Sequence, residues 1–492
     1  MSITLQYPVP RQPAYPQKVA TIKDLMPGAR KAVERRIGRG ALGILKPSDH
    51  VVIIYPPIQN EMVLKAILEA LKEKGIAAEG VGEHEVTGQP LENLTKISAE
   101  DAWLELHWRK EVTKILNLEP PVLSDETEVS RSLKAFMDRN PKYNAVYVAS
   151  GGRPYVRFYM AEHASKFKDS WIYTNCEHLL SKLEDFPGEL QASIERKIAD
   201  LLAKVSEVRI SDPQGTDISF SVTPEEARVW SNVQLPSHFF LYPSQSIGMA
   251  HILRPEFAQP GHKAFCRAEG VIAGTSNHVG YFPHMKCYLR EGQIYKIEGG
   301  GKFGDKLREW MDKTKDVHYP LYPNPGNLYL TEVALGTVPK FFRRRGDLFE
   351  SHGILFANVY ERQRSGVIHW GIGVDEYDPK VLEYANEKGL PNEHIGHAAH
   401  TYFNTYEVKL RDTGEWVKII DKGHLTSLDD PEIRSTAAKH GDPDDILSED
   451  WVPAIPGINF PGDYMREYGQ NPVTWIKKEL DGQLPATIGV PQ

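Results

Sequence analysis

The chain changes character near residue 206, and that change constrains its fold more than any other feature. Upstream, short continuous apolar runs alternate with helix-like segments. His50-Val51-Val52-Ile53-Ile54-Tyr55 is rich in β-branched residues and stops at Pro56-Pro57. Such a run suits a strand buried on both faces of a parallel sheet. Glu61 to Lys74 places Val63, Ile67, Leu68 and Leu71 on one helical face, and Gly75 ends it. Ala77 to Val81 reads as the next strand, which completes a β-α-β unit with a right-handed crossover. Tyr143 to Ser150 reads as another buried strand, and Ile194 to Val208 as an amphipathic helix.

Downstream, short strands punctuated by Gly and Pro dominate. They are expected at 264–274, 285–298, 353–360, 366–374, 402–410 and 416–420, with a helix over Phe303 to Lys313. The expected fold is therefore an α/β N-terminal domain with a parallel sheet, followed by a mainly β (α+β) C-terminal domain that carries the site. The expected divisions are 1–205, with a charged, helix-flavoured insertion near 86–130, then 206–440, then a proline-rich tail over 441–492. The tail is expected as extended or looped chain on the surface or against a partner subunit, because proline cannot donate to a ladder.

The 492 residues suffice for two or three domains. A net charge of -8, from 58 basic and 66 acidic residues, gives no basic face for nucleic acid. The basic cluster Arg343-Arg344-Arg345, after Lys340, reads as a solvated loop or interface patch. Cys176, Cys266 and Cys287 show no CxxC spacing and are odd in number, so a disulfide framework is not expected and the cytoplasm is the expected compartment. No run approaches the roughly 18 apolar residues that span a membrane.

Some chemistries are poorly supported. Gly151-Gly152-Arg153 follows a strand but is not a dinucleotide fingerprint. Ser150 and Ser365 lack a nucleophile-elbow motif. The histidines and two carboxylates offer more. His369 lies in Gly366-Val367-Ile368-His369-Trp370-Gly371-Ile372-Gly373, and a loop downstream holds His394, His397 and His400. Imidazole is the commonest protein ligand for transition metals, and its pKa suits proton transfer near neutrality. Glu298 precedes Gly299-Gly300-Gly301, and Glu332 sits among small apolar residues in Leu330-Thr331-Glu332-Val333-Ala334. With His369 they form an acid, acid and imidazole set, suited to a divalent metal (zinc, cobalt or iron) or to acid–base work.

Thr331 to Thr337, Gly353 to Phe356 and Gly366 to Gly373, with Gly215 to Phe220, Asn232 to Pro236 and Glu291 to Gly300, resemble segments of the aminopeptidase T family of metallo-aminopeptidases. The resemblance covers roughly 205–425. It implies a metal-dependent hydrolase acting on an amide or peptide-like bond of a small molecule, and a homodimer. Glu298, Glu332 and His369 match positions that ligate metal in that family, and Tyr377 lies one residue beyond a catalytic tyrosine position. The family's closing His-x-Asp pair, counted back from Leu410-Arg411-Asp412, falls on Phe403 and Thr405. His400, three residues earlier, is the substitute donor and joins the catalytic set.

The chain also resembles the related 2,5-dihydroxypyridine ring-opening dioxygenases, which hold one iron with two histidines and a carboxylate. For that reading His278 and His284 add imidazoles, and Tyr281, Phe282, Trp370, Tyr402 and Phe403 could flank a planar ring, although such aromatics are more often core. A non-catalytic member of the family that binds a ligand or a partner is the third alternative.

Overall fold

The structure is a computed structural model. It describes residues 6–13, 21–36, 42–55, 59–90, 126–149, 166–172, 176–232, 239–243, 266–277, 280–320, 322–343, 361–374, 395–480 and 482–484, with residues 381, 384, 387 and 388. Four parallel strands form the N-terminal sheet: β1 (His50–Tyr55), β2 (Ala77–Gly82), β3 (Ala145–Ala149) and β4 (Phe167–Ile172), in the order β2-β1-β3-β4. Val51, Val52, Ile53 and Ile54 are all buried, as a run without alternation requires. The connecting helix Glu61–Glu73 starts where the Asn60 side chain accepts the Met62 and Val63 amides, and it ends before Gly75 at φ 74°.

The second half is a twelve-stranded sheet. Its members are β5 (Val205–Asp212), β6 (Thr216–Ser221), β7 (Phe239–Pro243), β8 (Glu269–Asn277), β9 (Gly280–Arg290), β10 (Gln293–Gly299), β11 (Tyr329–Gly336), β12 (Ile368–Gly373), β13 (Ile395–Thr401), β14 (Thr405–Leu410), β15 (Trp416–Asp421) and β16 (His424–Leu425). The order is β13-β12-β11-β10-β9-β8-β6-β5-β14-β15-β16, with β7 on β11. Every pairing is antiparallel. β13 packs back beside β8: the Ser276 and Tyr402 hydroxyls are 2.6 Å apart, and Gly274 lies under the His400 carbonyl. Strands β8 to β13 therefore curl around a shared interior.

Several sequence expectations need correction. The helix expected to reach Val208 spans Gly188–Leu202, and Val205 to Val208 instead open β5. Their β-branched side chains are pinned by pairing with β14, so tertiary contacts override the helical spacing. The single strand expected over 285–298 is a hairpin, turning at Glu291 and Gly292 with φ 50° and 74°. The strand expected over 402–410 breaks at Tyr402 to Asn404. There the Asn404 side chain accepts from Thr401 Oγ1 at 2.6 Å and donates to the Thr401 carbonyl at 2.8 Å, closing a turn. Consequently His397 and His400 stand on a strand, not in a loop. The tail is not simply extended: Pro472 opens a helix to Leu480, where its missing N–H costs nothing, and Trp451, Ile455 and Tyr468 are buried. The strand expected at 353–360 lies outside the described residues, as do residues 91–125 of the insertion expected near 86–130.

Two buried carboxyls give the fold an unusual pH response. Burial pushes Glu195 up to about 7 and Asp212 up to about 6, against hydrogen bonds from Gln191 and Thr337 to Glu195 and from the Gln214 and Phe403 amides to Asp212. A pKa raised by folding means that the native state binds more protons. The resulting stability is fully present below the unfolded value of 4.5 for Glu195 and is lost as pH rises through about 7. For Glu195 the effect is on the order of 3 kcal/mol, at about 1.4 kcal/mol per unit. Thermal denaturation should show the melting temperature falling between pH 5 and pH 8, with a shallower slope in Glu195→Gln. An identical slope in the variant would remove Glu195 as the cause.

Candidate functional site

β11, β12 and β13 are neighbours, and their register aims three polar side chains into the interior. His369 and His400 are direct cross-strand partners, so both point to the same face. Glu332 pairs with Gly371, two residues from His369 and therefore on that same face. His400 Nε2 lies 3.0 Å from His369 Nδ1. His369 Nε2 lies 3.6 Å from Glu332 Oε2, and His400 Nδ1 lies 4.0 Å from Glu361 Oε1. The four groups form a chain: carboxylate, imidazole, imidazole, carboxylate. None of the four side chains is more than 1% exposed.

A wider polar network encloses the chain. Tyr402 donates to Glu361 Oε1 at 2.7 Å, and Tyr281 donates to Glu361 Oε2 at 3.1 Å. Arg343 donates to Glu361 at 2.8 Å and to Glu479 at 3.0 Å. Burial pulls the Glu361 carboxyl upward, but Arg343, His400 and Tyr402 outweigh it and hold it below its ordinary value. Burial pushes His400 down to about 4, so its ring is neutral at pH 7.

The expected site residues do not all converge. Glu332, His369 and His400 are brought together. Glu298 is not: its half-exposed side chain pairs with Lys296 at 2.5 Å and accepts from Tyr288 at 2.7 Å. β10 touches β11 only at Gln293 and Tyr329. Because the strands are antiparallel, Glu298 and Glu332 run away from that point in opposite directions, to roughly 25 Å apart along the strands. Tyr377, His278 and His394 lie outside the described residues. His284 is elsewhere, its Nε2 2.7 Å from the Gln214 carbonyl and its ring edge-on to Tyr464. Phe403 is core against Tyr7. Phe282 stacks on Phe303, and Trp370 donates to Thr401, so these two are also packing residues.

Sequence reasoning missed Glu361, Arg343 and Glu479. The run Glu361-Arg362-Gln363-Arg364-Ser365 looks like a solvated turn, yet each residue is at most 5% exposed. Lys340 and Arg343, read as part of a solvated loop or interface patch, are 3% and 1% exposed, while Arg344 and Arg345 lie outside the described residues. Lys340 is held by Asp450 at 2.7 Å and by the carbonyls of Asp445 and Ser448. The one sequence signal was the crowding of charge immediately before the apolar β12, and solvated loops have the same pattern.

Gly371 makes room for Glu332. A methyl added there would lie 2.7 Å from Glu332 Cβ and 3.0 Å from its Oε2. Gly371→Ala should therefore displace the carboxylate and cost about 1–3 kcal/mol of stability. Urea denaturation checks this, and an unchanged midpoint would show that the strands absorb the methyl.

No protein-family model matches the chain, and no curated protein matches it. Among solved structures it is similar to 2,5-dihydroxypyridine dioxygenase from Pseudomonas putida KT2440, at 10% identity and a TM-score of 0.44, covering 83% of this chain and 98% of that one. It is also similar to wild-type AmpT from Thermus thermophilus, at 12% identity and a TM-score of 0.40, covering 82% and 100% respectively. Similarity at this level is distant and assigns no chemistry, so the functional reading rests on the site. No helix among the described residues is long and apolar enough to cross a membrane.

Proposed function

We propose that this chain is a metal-dependent enzyme acting on a small molecule, with His369 and His400 as the residues that would hold a divalent cation. One observation carries the reading: two buried imidazole nitrogens face each other at 3.0 Å while the far nitrogen of each ring faces a carboxylate. With one inner nitrogen protonated, the 3.0 Å contact is an N–H···N hydrogen bond; with the protons on the outer nitrogens, His369 Nε2 and His400 Nδ1, the two inner lone pairs would be available to hold a cation.

Among the described residues, no three His, Cys, Asp or Glu groups surround a single point. Glu332 and Glu361 therefore fit as carboxylates that orient ligand imidazoles rather than as direct ligands. When bound, the cation would supply Lewis acidity toward a carbonyl or water. The protein's own groups do the rest. Burial excludes bulk water, Tyr402 and Arg343 fix Glu361, and Glu332 Oε2, 3.6 Å from His369 Nε2, is a carboxylate placed to move a proton at that ring. This suits hydrolysis of an amide or peptide-like bond in a small molecule.

A second reading is a ring-cleaving dioxygenase with a single iron. What favours it is the pair of imidazole donors, which suit iron as well as zinc. Elemental analysis of the purified full chain tests both. About one zinc or cobalt per chain, with amide cleavage, supports the hydrolase. About one iron, with oxygen consumption on a dihydroxylated ring, supports the dioxygenase. A chain that carries no metal and takes up no cobalt(II) refutes both and leaves a ligand-binding protein.

A further inference from the structure

Residues 461–471 lie against the polar interior of the second half. Tyr464–Gly469 form a π-helical turn, in which the Gln470 amide donates to the Met465 carbonyl five residues back. Such turns are rare and recur at functional sites. Gly462, at φ 139°, precedes the turn in a conformation that favours glycine, and Pro472 opens the helix that follows. The outer side meets solvent, with Met465 46% exposed. The inner side carries two phenols. Tyr464 donates to Gln214 Oε1 at 3.0 Å, and the Tyr468 hydroxyl lies 2.9 Å from Thr275 Oγ1. Every other hydrogen bond of residues 461–471 stays within the segment or reaches the helix that follows it.

The groups beneath the phenols adjoin the candidate site. Thr275 stands on β8 between Gly274, which lies under the His400 carbonyl, and Ser276, whose Oγ is 2.6 Å from the Tyr402 hydroxyl that donates to Glu361. Glu332, Glu361, His369 and His400 are closed to solvent, so a small molecule reaches them only when a covering element moves.

We propose that residues 461–471 are a lid that pivots at Gly462 and opens this interior to solvent, with the Tyr464 and Tyr468 hydroxyls as its latch. The proposal rests on the reading above that the interior around His369 and His400 takes a small molecule, and it does not depend on a metal. Elements that open for ligands have few bonds to the rest of the fold, and this one has two. The buried Tyr468 ring keeps the closed form dominant.

The test uses the full chain carrying Thr275→Cys, which sets a thiol beneath the lid. Labelling by a small thiol reagent, located by mass spectrometry, reads its access. The native Cys287, 1% exposed on β9, is the internal control for opening of the whole sheet. The thiol at position 275 should be labelled at least about tenfold faster than Cys287, because local opening is easier than global unfolding. Its rate should change little in dilute urea, while that of Cys287 climbs, since a moving lid exposes little surface. Adding Tyr464→Phe removes one latch bond and should speed labelling at 275 about fivefold. If position 275 is labelled at the rate of Cys287 with the same urea dependence, the lid is overturned. A rate that Tyr464→Phe leaves unchanged means that the reagent enters by another route, which also overturns it. If Thr275→Cys does not fold, tryptic cleavage after Arg466 in the native chain takes its place. There Tyr464→Phe should speed cutting about fivefold, and an unchanged rate rejects the lid. Neither readout involves metal or turnover, so failure of the lid and failure of the metal reading are seen separately.

Discussion

If the chain is the metal enzyme proposed above, His369→Ala should leave it folded, without bound metal and without turnover. His369 supplies one of the two nitrogens that face each other at 3.0 Å, and Glu332 is placed to serve that ring. Removing the outer partner of a ligand histidine costs about tenfold to a hundredfold in metal affinity, so removing the imidazole itself should exceed a hundredfold. The fold should survive. The substitution leaves a cavity and a less satisfied carboxylate, on the order of 1–3 kcal/mol together, against the roughly 5–15 kcal/mol that holds a native domain. Elemental analysis, circular dichroism and an activity assay on the same preparation decide it. Retained metal and retained turnover would place the working centre elsewhere.

Arg343→Met should destabilise the protein by about 3–5 kcal/mol, the usual cost of removing one partner from a buried ion pair. The side chains of Glu361 and Glu479 are 0% and 3% exposed, so neither carboxylate can return to water without opening the core. Methionine matches the length of the stem and can pack between Tyr281 and Trp451, but it offers neither carboxylate a donor. Urea denaturation measures the loss. A loss below about 1 kcal/mol would mean that the two glutamates take up protons or find other donors.

The N-terminal half was legible because its signals are local. A β-branched run bounded by prolines, a 3.6-residue apolar stripe and a capping Gly75 each act within about one element, and β1, β2 and the helix between them appear where those signals lie. Glu332 and His369 were legible for a similar reason, since a charge and an imidazole in apolar strands need partners. Glu298 misled because a strand end before three glycines reads as a place of close approach, a local signal that does not say which side chains meet. Its exposure and its Lys296 partner follow from the hairpin register. Counting back from Leu410 landed on Phe403 and Thr405, because the Tyr402 to Asn404 turn separates β13 from β14 and no periodicity crosses a turn. His400 stands opposite His369 because β12 pairs with β13.

The amino-acid sequence alone determined which segments become buried strands and helices, where the parallel half gives way to the antiparallel half, and that acidic and imidazole groups lie in apolar strands of the second half. Hydrophobic period and turn chemistry act over a few residues, so these features need no knowledge of the fold. Only the tertiary structure decided which of those groups meet. Glu332, His369, His400, Glu361, Arg343 and Glu479 come from β11, β12, β13, two connecting segments and the C-terminal helix. Strand order and register bring them together, and those depend on long-range pairing that no local pattern encodes.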